Sequence, residues 1–304
     1  MLTDLTDTTT ADIRAALSRA QGQMGGPATG VVLNLIIVTD ESGQHDAVRA
    51  ASQASREHPC RVLGVIARET RSASRLDAEI RSGEGTPGQT VLLRLYGPMS
   101  EHADSVIMPL LVPDTPVVTW WHGQLPTVPS AQPLGELAQR RVTDASRAMA
   151  PIEALAALSA GYQPGDTDFS WTRATPWRSL LAATVDQETY PITGGKVTAE
   201  ENNPTAELLT FWLASRLHAP FSRETSEGPG ITEVVLSTDN GDVVISRPDG
   251  RVATLARPGQ PDRHVALHRR DIPDLLAEEL RRLDPDEIYG EALSLVAGVP
   301  ATSS

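Results

Sequence analysis

The run Val31-Val32-Leu33-Asn34-Leu35-Ile36-Ile37-Val38 constrains this chain more than any other stretch. A strand with one wet face alternates apolar and polar residues. A run this continuous suits a strand covered on both faces, as in a parallel sheet. The pattern then repeats. Helical spacing comes first, at Ile13, Ala16, Leu17, Ala20 and Met24, with Gly25-Gly26-Pro27 as the expected stop. After the first strand come an Ala-rich helix over 47–56 and a second strand over Arg61–Ala67. Residues 68–88 are charged and Gly-rich and read as loop with one helical turn. A third strand covers Val91–Tyr96, helical spacing returns at Val106, Ile107, Leu110 and Leu111, and a fourth strand covers Pro116–Trp120. A short helix near 134–140, a brief strand over Arg141–Thr143 and a helix over Pro151–Ala160 complete the alternation. Strand and helix alternating in this way predict an α/β domain with a doubly wound, mostly parallel sheet. Residues 1–10 read as a loose polar tail.

Beyond Asp186 the character changes. Asn203-Pro204 opens a helix whose Leu208, Leu209, Phe211, Trp212, Leu213 and Leu217 leave almost no polar face, so it is expected to be buried. Short strands follow, with turn signals at Asp239-Asn240-Gly241, Pro248-Asp249-Gly250 and Arg257-Pro258-Gly259. These predict a hairpin within an antiparallel meander. Two helices close the chain, one over about 273–283 and one opened by a capping box of Asp284 and Glu287. The second half is therefore an α+β domain. The boundary is placed at Gly161-Tyr162-Gln163-Pro164-Gly165, giving domains 1–165 and 166–304.

Charge narrows the partners. Lys plus Arg is 26 and Asp plus Glu is 39, a formal net charge of −13. A polyanion such as a nucleic acid or a membrane surface is repelled overall, so neither is expected as a partner. The longest apolar run has eight residues, against roughly 20 for a span. The single cysteine, Cys60, forbids an internal disulfide. With an acidic, polar first stretch, it points to a reducing, cytoplasmic setting.

No catalytic pattern stands out. Neither a phosphate-binding glycine loop of the strand-to-helix type nor a Gly-x-Ser-x-Gly elbow occurs, and Gly194-Gly195-Lys196 lacks the following Ser or Thr. His264 and His268 lie on an expected strand, where four residues span roughly 13 Å, too far for one metal ion. Cys60 begins a buried strand, where a thiol is inert. No enzyme activity and no cofactor are expected.

What remains is the placement of scarce aromatics. Only 4% of residues are aromatic, yet four of the five Trp fall in two stretches, 116–122 and 166–178. Trp120, Trp121 and His122 end a presumed parallel strand, the edge at which open α/β sheets bind ligands. Both Trp side chains cannot enter one core, because neighbours on a strand face opposite ways. One reading is packing; the other is a binding surface. In the second stretch Thr175 is read as an N-cap and Pro176 as the first residue of a helix. Asp168, Arg173 and Arg178 suit structural ion pairs, or the two Arg bind a phosphate or carboxylate near a helix start. Trp171 and Trp177 either pin that helix down or contribute to a docking face.

Pro-Val-Val-Thr-Trp-Trp at 116–121, Asp-Phe-Ser-Trp-Thr-Arg-Ala-Thr-Pro-Trp-Arg at 168–178 and the helix over 208–217 resemble the glucose-6-phosphate dehydrogenase assembly protein (OpcA) family. The order of these motifs is similar over about residues 30–300. The resemblance implies a non-catalytic partner of glucose-6-phosphate dehydrogenase that promotes its assembly or acts as an allosteric effector, feeding the oxidative pentose phosphate pathway. It brings no catalytic residues. Trp120, Trp121, His122, Asp168, Trp171, Arg173, Trp177 and Arg178 are therefore candidates for a docking face or a small-anion pocket. The alternative is a sensor or enzyme for a sugar phosphate, bound at an anion pocket at the domain junction.

Overall fold

The apolar run near residue 35 is buried along most of its length in the computed structural model, which describes residues 2–23, 31–68, 73–81 and 89–296. The expected helix stop at Gly25-Gly26-Pro27 lies outside those residues. The chain forms two compact units. One comprises the chain up to Thr143 together with Ile272–Pro285; the other comprises Asp144–Asp271 and the chain from Asp286.

The first unit runs β1 (Leu2–Leu5), α1 (Thr10–Gln23), β2 (Leu33–Thr39), α2 (Gln44–Ala54), β3 (Cys60–Ala67), β4 (Arg75–Arg81), β5 (Thr90–Tyr96), α3 (Ala103–Ile107), β6 (Val117–Trp121), α4 (Pro133–Glu136) and β7 (Arg140–Thr143). Its strands lie side by side in the order β1-β4-β5-β3-β2-β6-β7. The pairs β2–β3, β2–β6, β3–β5 and β6–β7 are parallel, while β1–β4 and β4–β5 are antiparallel. Ile13 and Leu17 of α1, Val106 and Ile107 of α3 and Leu134 of α4 pack with Ile36, Leu63, Val65, Val91 and Leu93 of the sheet. Helix α2 covers β2 and β3. The sheet is thus mostly parallel with apolar cover, as the uninterrupted strands predicted. Asn34, the polar residue inside the run, is fully buried but satisfied. Its side chain donates to Thr115 Oγ1 at 2.6 Å and to the Val112 carbonyl at 3.1 Å, and accepts from the Val112 N–H at 2.8 Å.

Two sequence readings are corrected here. The supposed loop over 68–88 contains β4, whose Leu76, Ala78 and Ile80 are buried between charged neighbours. That is the period-2 pattern of a half-covered antiparallel strand, masked by its charge. The supposed tail contains β1, which pairs with β4 from Leu2↔Arg81 to Leu5↔Ala78.

The second unit runs α5 (Pro151–Ala160), β8 (Asp166–Asp168), α6 (Phe169–Val185), β9 (Ile192–Ala199), α7 (Pro204–Leu217), β10 (Phe221–Thr225), β11 (Ile231–Thr238), β12 (Val243–Ser246), β13 (Val252–Ala256) and β14 (Arg263–Ala266). Helix α8 (Ile272–Arg281) belongs to the first unit, where it packs on α2, and α9 (Glu287–Val296) ends the described chain. The six-stranded sheet has the order β10-β9-β11-β12-β13-β14 and is antiparallel except for β9–β10. Strands β9 and β10 were not foreseen. Gly195 sits in β9 because an added Cβ would meet the Val235 carbonyl oxygen at 2.1 Å.

Helix α7 explains its own composition. Ala206, Leu209 and Leu213 pack with Val197, Val234 and Leu236 of the sheet. Leu208 packs instead with Leu155, Leu158, Tyr289 and Leu293 of α5 and α9. Asn203 caps the helix by accepting from the Ala206 N–H at 3.0 Å, as its Asn-Pro start predicted. The burial is incomplete, however: Phe211 and Trp212 are half-buried. The hairpin at Asn240-Gly241 also differs in detail. Only Gly241 has positive φ, +108°, and the loop spans 239–242, with the Gly241 N–H donating to the Thr238 carbonyl. A four-residue loop needs one left-handed residue, not the two of a two-residue turn. Finally, α9 is capped by Asp286, not by Asp284: the Tyr289 N–H donates to Asp286 Oδ1 at 3.0 Å.

Candidate functional site

The sequence-predicted residues fall in two places. Trp120 and Trp121 end β6 in the first unit, His122 follows it, and all three are buried. Trp120 meets His122 edge-on, with ring centroids 5.0 Å apart. His122 Nδ1 lies 3.5 Å from Thr39 Oγ1, at the end of β2. The same corner holds Asp40, which accepts from Ser42 Oγ at 2.7 Å and from the Gly43 N–H at 2.6 Å at the approach to α2. Those bonds, with a smaller contribution from His122, hold the Asp40 carboxyl below its ordinary range. The turn between β2 and α2 is therefore held by its own hydrogen bonds.

The second group lies on α6, which starts earlier than Thr175-Pro176 suggested. Asp168 is the N-cap and accepts from the Ser170 N–H at 2.8 Å, and its other oxygen accepts from the Ala145 N–H at 2.8 Å. Pro176 lies inside the helix. A proline there leaves the carbonyl four residues back without its helical donor. That carbonyl belongs to Thr172, and the Arg270 guanidinium donates to it. The sequence alone could not supply this donor, nearly a hundred residues away, so the earlier start was missed.

Arg173 forms a two-pronged pair with Asp144: Nη1 to Oδ1 at 2.6 Å and Nη2 to Oδ2 at 2.8 Å. Burial pushes the Arg173 pKa down, but the hydrogen bonds and charge of Asp144, with the Asp168 charge, raise it net. Arg178 lies over the Trp171 ring at 3.7 Å, and Trp171 Nε1 donates to Asp286 Oδ2 at 2.8 Å. Trp171 and Trp177 are 1% and 2% exposed. The four indoles thus present no open aromatic face. All four are buried, which is what packing requires of them.

Beside α6, the second unit holds a cavity of about 80 Å³. Arg173 and Trp177 line it, and so do Gly230, Arg247, Arg269 and Arg270, which the sequence reading did not single out. No Asp or Glu lines it. Arg247 is 4% exposed. It donates from Nη1 to the Leu267 carbonyl and from Nη2 to the Ile231 carbonyl, both at 2.9 Å, and lies 4.9 Å from the Trp177 ring centroid. Burial, reinforced by the Arg269 charge, pushes its pKa down to about 10. The signal available in sequence was Arg269-Arg270 after β14 and Arg247 just after β12. Nothing in their spacing says that they converge.

Elsewhere the chemistry is quiet. Cys60 is buried with Sγ 2.9 Å from Ser55 Oγ, and desolvation raises its thiol to about 11 against a smaller pull from Ser55. Among the described residues no group of three or more His, Cys, Asp or Glu could hold a metal ion, and no helix is long and apolar enough to cross a membrane.

Comparison with known proteins gives two family matches. A model described as the glucose-6-phosphate dehydrogenase subunit N-terminal domain matches residues 51–160, and one described as its C-terminal domain matches residues 164–293. No curated protein sequence matches the chain. Among solved structures, UDP-N-acetylglucosamine 3-dehydrogenase GnnA from Acidithiobacillus ferrooxidans is similar at 12% identity, over 88% of this chain and 96% of that one. The TM-score is 0.34, and a likeness at that level carries no argument.

Proposed function

The chain belongs to the glucose-6-phosphate dehydrogenase assembly protein (OpcA) family, and we propose that it is a non-catalytic assembly factor and allosteric effector of glucose-6-phosphate dehydrogenase. It acts in the cytoplasm and supports the oxidative pentose phosphate pathway. The observation that carries this reading is the pair of family matches, which together extend over most of the chain. The chemistry around α6 supports it. Asp144 is engaged by Arg173, Asp168 caps the helix, and Asp286 holds both Trp171 and the start of α9. Each of these acidic groups is occupied in holding the fold. In this reading the buried indoles are a rigid support beneath a docking face, and Arg173 and Arg178 are half-buried where the other predicted residues are buried.

The test mixes the purified chain with glucose-6-phosphate dehydrogenase and follows oligomeric state by light scattering and substrate affinity by initial rates. Co-elution with a change in either quantity is expected. Separate elution with both unchanged overturns the proposal.

A further inference from the structure

We infer that the arginine-lined cavity of the second unit binds a single phosphoryl group, either as inorganic phosphate or as the phosphate of a small monoester. The inference does not depend on association with the dehydrogenase. It rests on three features of the cavity.

The first is its charge balance. Arg173, Arg247, Arg269 and Arg270 line the cavity without a carboxylate among the lining residues. The charge of Arg173 is already met by Asp144. Among the described residues, Arg247 and Arg269 have no carboxylate within ion-pair distance. Asp249 acts on Arg247 only from beyond that distance, and a buried guanidinium without a close counter-ion is costly to hold; backbone carbonyls with a ring face offset only part of that cost.

The second is an unmet donor. Arg247 is buried and lines the cavity, and its Nε has no hydrogen-bond partner. Such a group inside a protein calls for an explanation. A phosphate in the cavity supplies the missing charge, in the forked geometry that guanidinium and phosphate share, and one of its oxygens becomes the missing acceptor when the buried Nε turns toward the cavity.

The third is room. A water needs roughly 10–15 Å³ of such space, so about 80 Å³ accepts a group of phosphate size. Gly230 borders it. Its φ is +67°, and a Cβ there would stand 3.7 Å from Arg247 Nη2 and 3.8 Å from Arg269 Nε, between the two guanidinium groups. His268 and Arg269 are exposed, which leaves the cavity open to solvent on their side, where the rest of an ester would extend.

Isothermal titration calorimetry on the full chain, without the dehydrogenase, tests this. Inorganic phosphate and glucose 6-phosphate are the probes, with ionic strength held constant by chloride. Saturable binding of at least one is expected, and the tighter of the two identifies the source of the phosphoryl group. Loss of a charge-assisted contact should weaken binding about tenfold or more in Arg269→Gln. Because Arg269 is exposed, that variant keeps the fold even where Arg247→Gln does not. Arg247→Gln, if its melting is retained, should abolish binding. Absence of saturable heat with both probes up to about 10 mM, or unchanged affinity in Arg269→Gln, overturns the assignment.

Discussion

At the scale of single residues, the charged groups that looked like a binding set are divided by how their charge is met. Asp144 is 1% exposed and depends on Arg173 for its counter-charge. Removing one partner of such a pair strands the other, which is worse than losing both. Arg173→Ala is therefore expected to lower stability by about 3 kcal/mol, read from the urea unfolding midpoint. Restoring part of the loss with Asp144→Asn in the same chain distinguishes a stranded carboxylate from simple loss of packing. Arg247 stands at the other extreme, a buried cation held by two carbonyl groups and an indole face. The same residue type thus stabilises in one place and creates a demand for a ligand in the other.

At the scale of elements, α6 shows how a helix tolerates an interior proline. Pro176 withdraws a donor from the Thr172 carbonyl, and Arg270 supplies one from beyond β14. An interior proline ordinarily costs about 3 kcal/mol against alanine. Here Pro176→Ala is expected to gain less than that, because the carbonyl it would recover is already bonded. A double-mutant cycle makes the point measurable. Arg270→Met should cost about 1 kcal/mol more with Pro176 present than in the Pro176→Ala background, and equal costs in the two backgrounds would show that the two residues are not coupled.

At the scale of the whole molecule, the chain leaves its first unit after β7 and returns to it with α8. There Arg140 meets Glu279 at 2.5 Å, with both side chains 5% exposed. We propose 1–165 and 166–304 as the separately folding pieces. Produced apart, each is expected to melt cooperatively by circular dichroism, with 1–165 weakened by the missing α8 and 166–304 by the missing α5 and Asp144. A non-cooperative 1–165 that recovers only when Ile272–Pro285 is supplied would refute that division. Much of the architecture was legible because its signals are local. The full apolar run of β2 requires cover on both faces, Asn203-Pro204 opens a helix by its own side chain and ring, and Gly241 turns a hairpin by its own φ. Strand β4 was legible in principle, since Leu76, Ala78 and Ile80 alternate, yet charge obscured the period. The start of α6, the burial of all four clustered indoles and the convergence of Arg247, Arg269 and Arg270 on one cavity were decided only by tertiary structure. Each depends on groups far apart in the chain meeting at a few ångströms, and sequence spacing holds no information about such meetings.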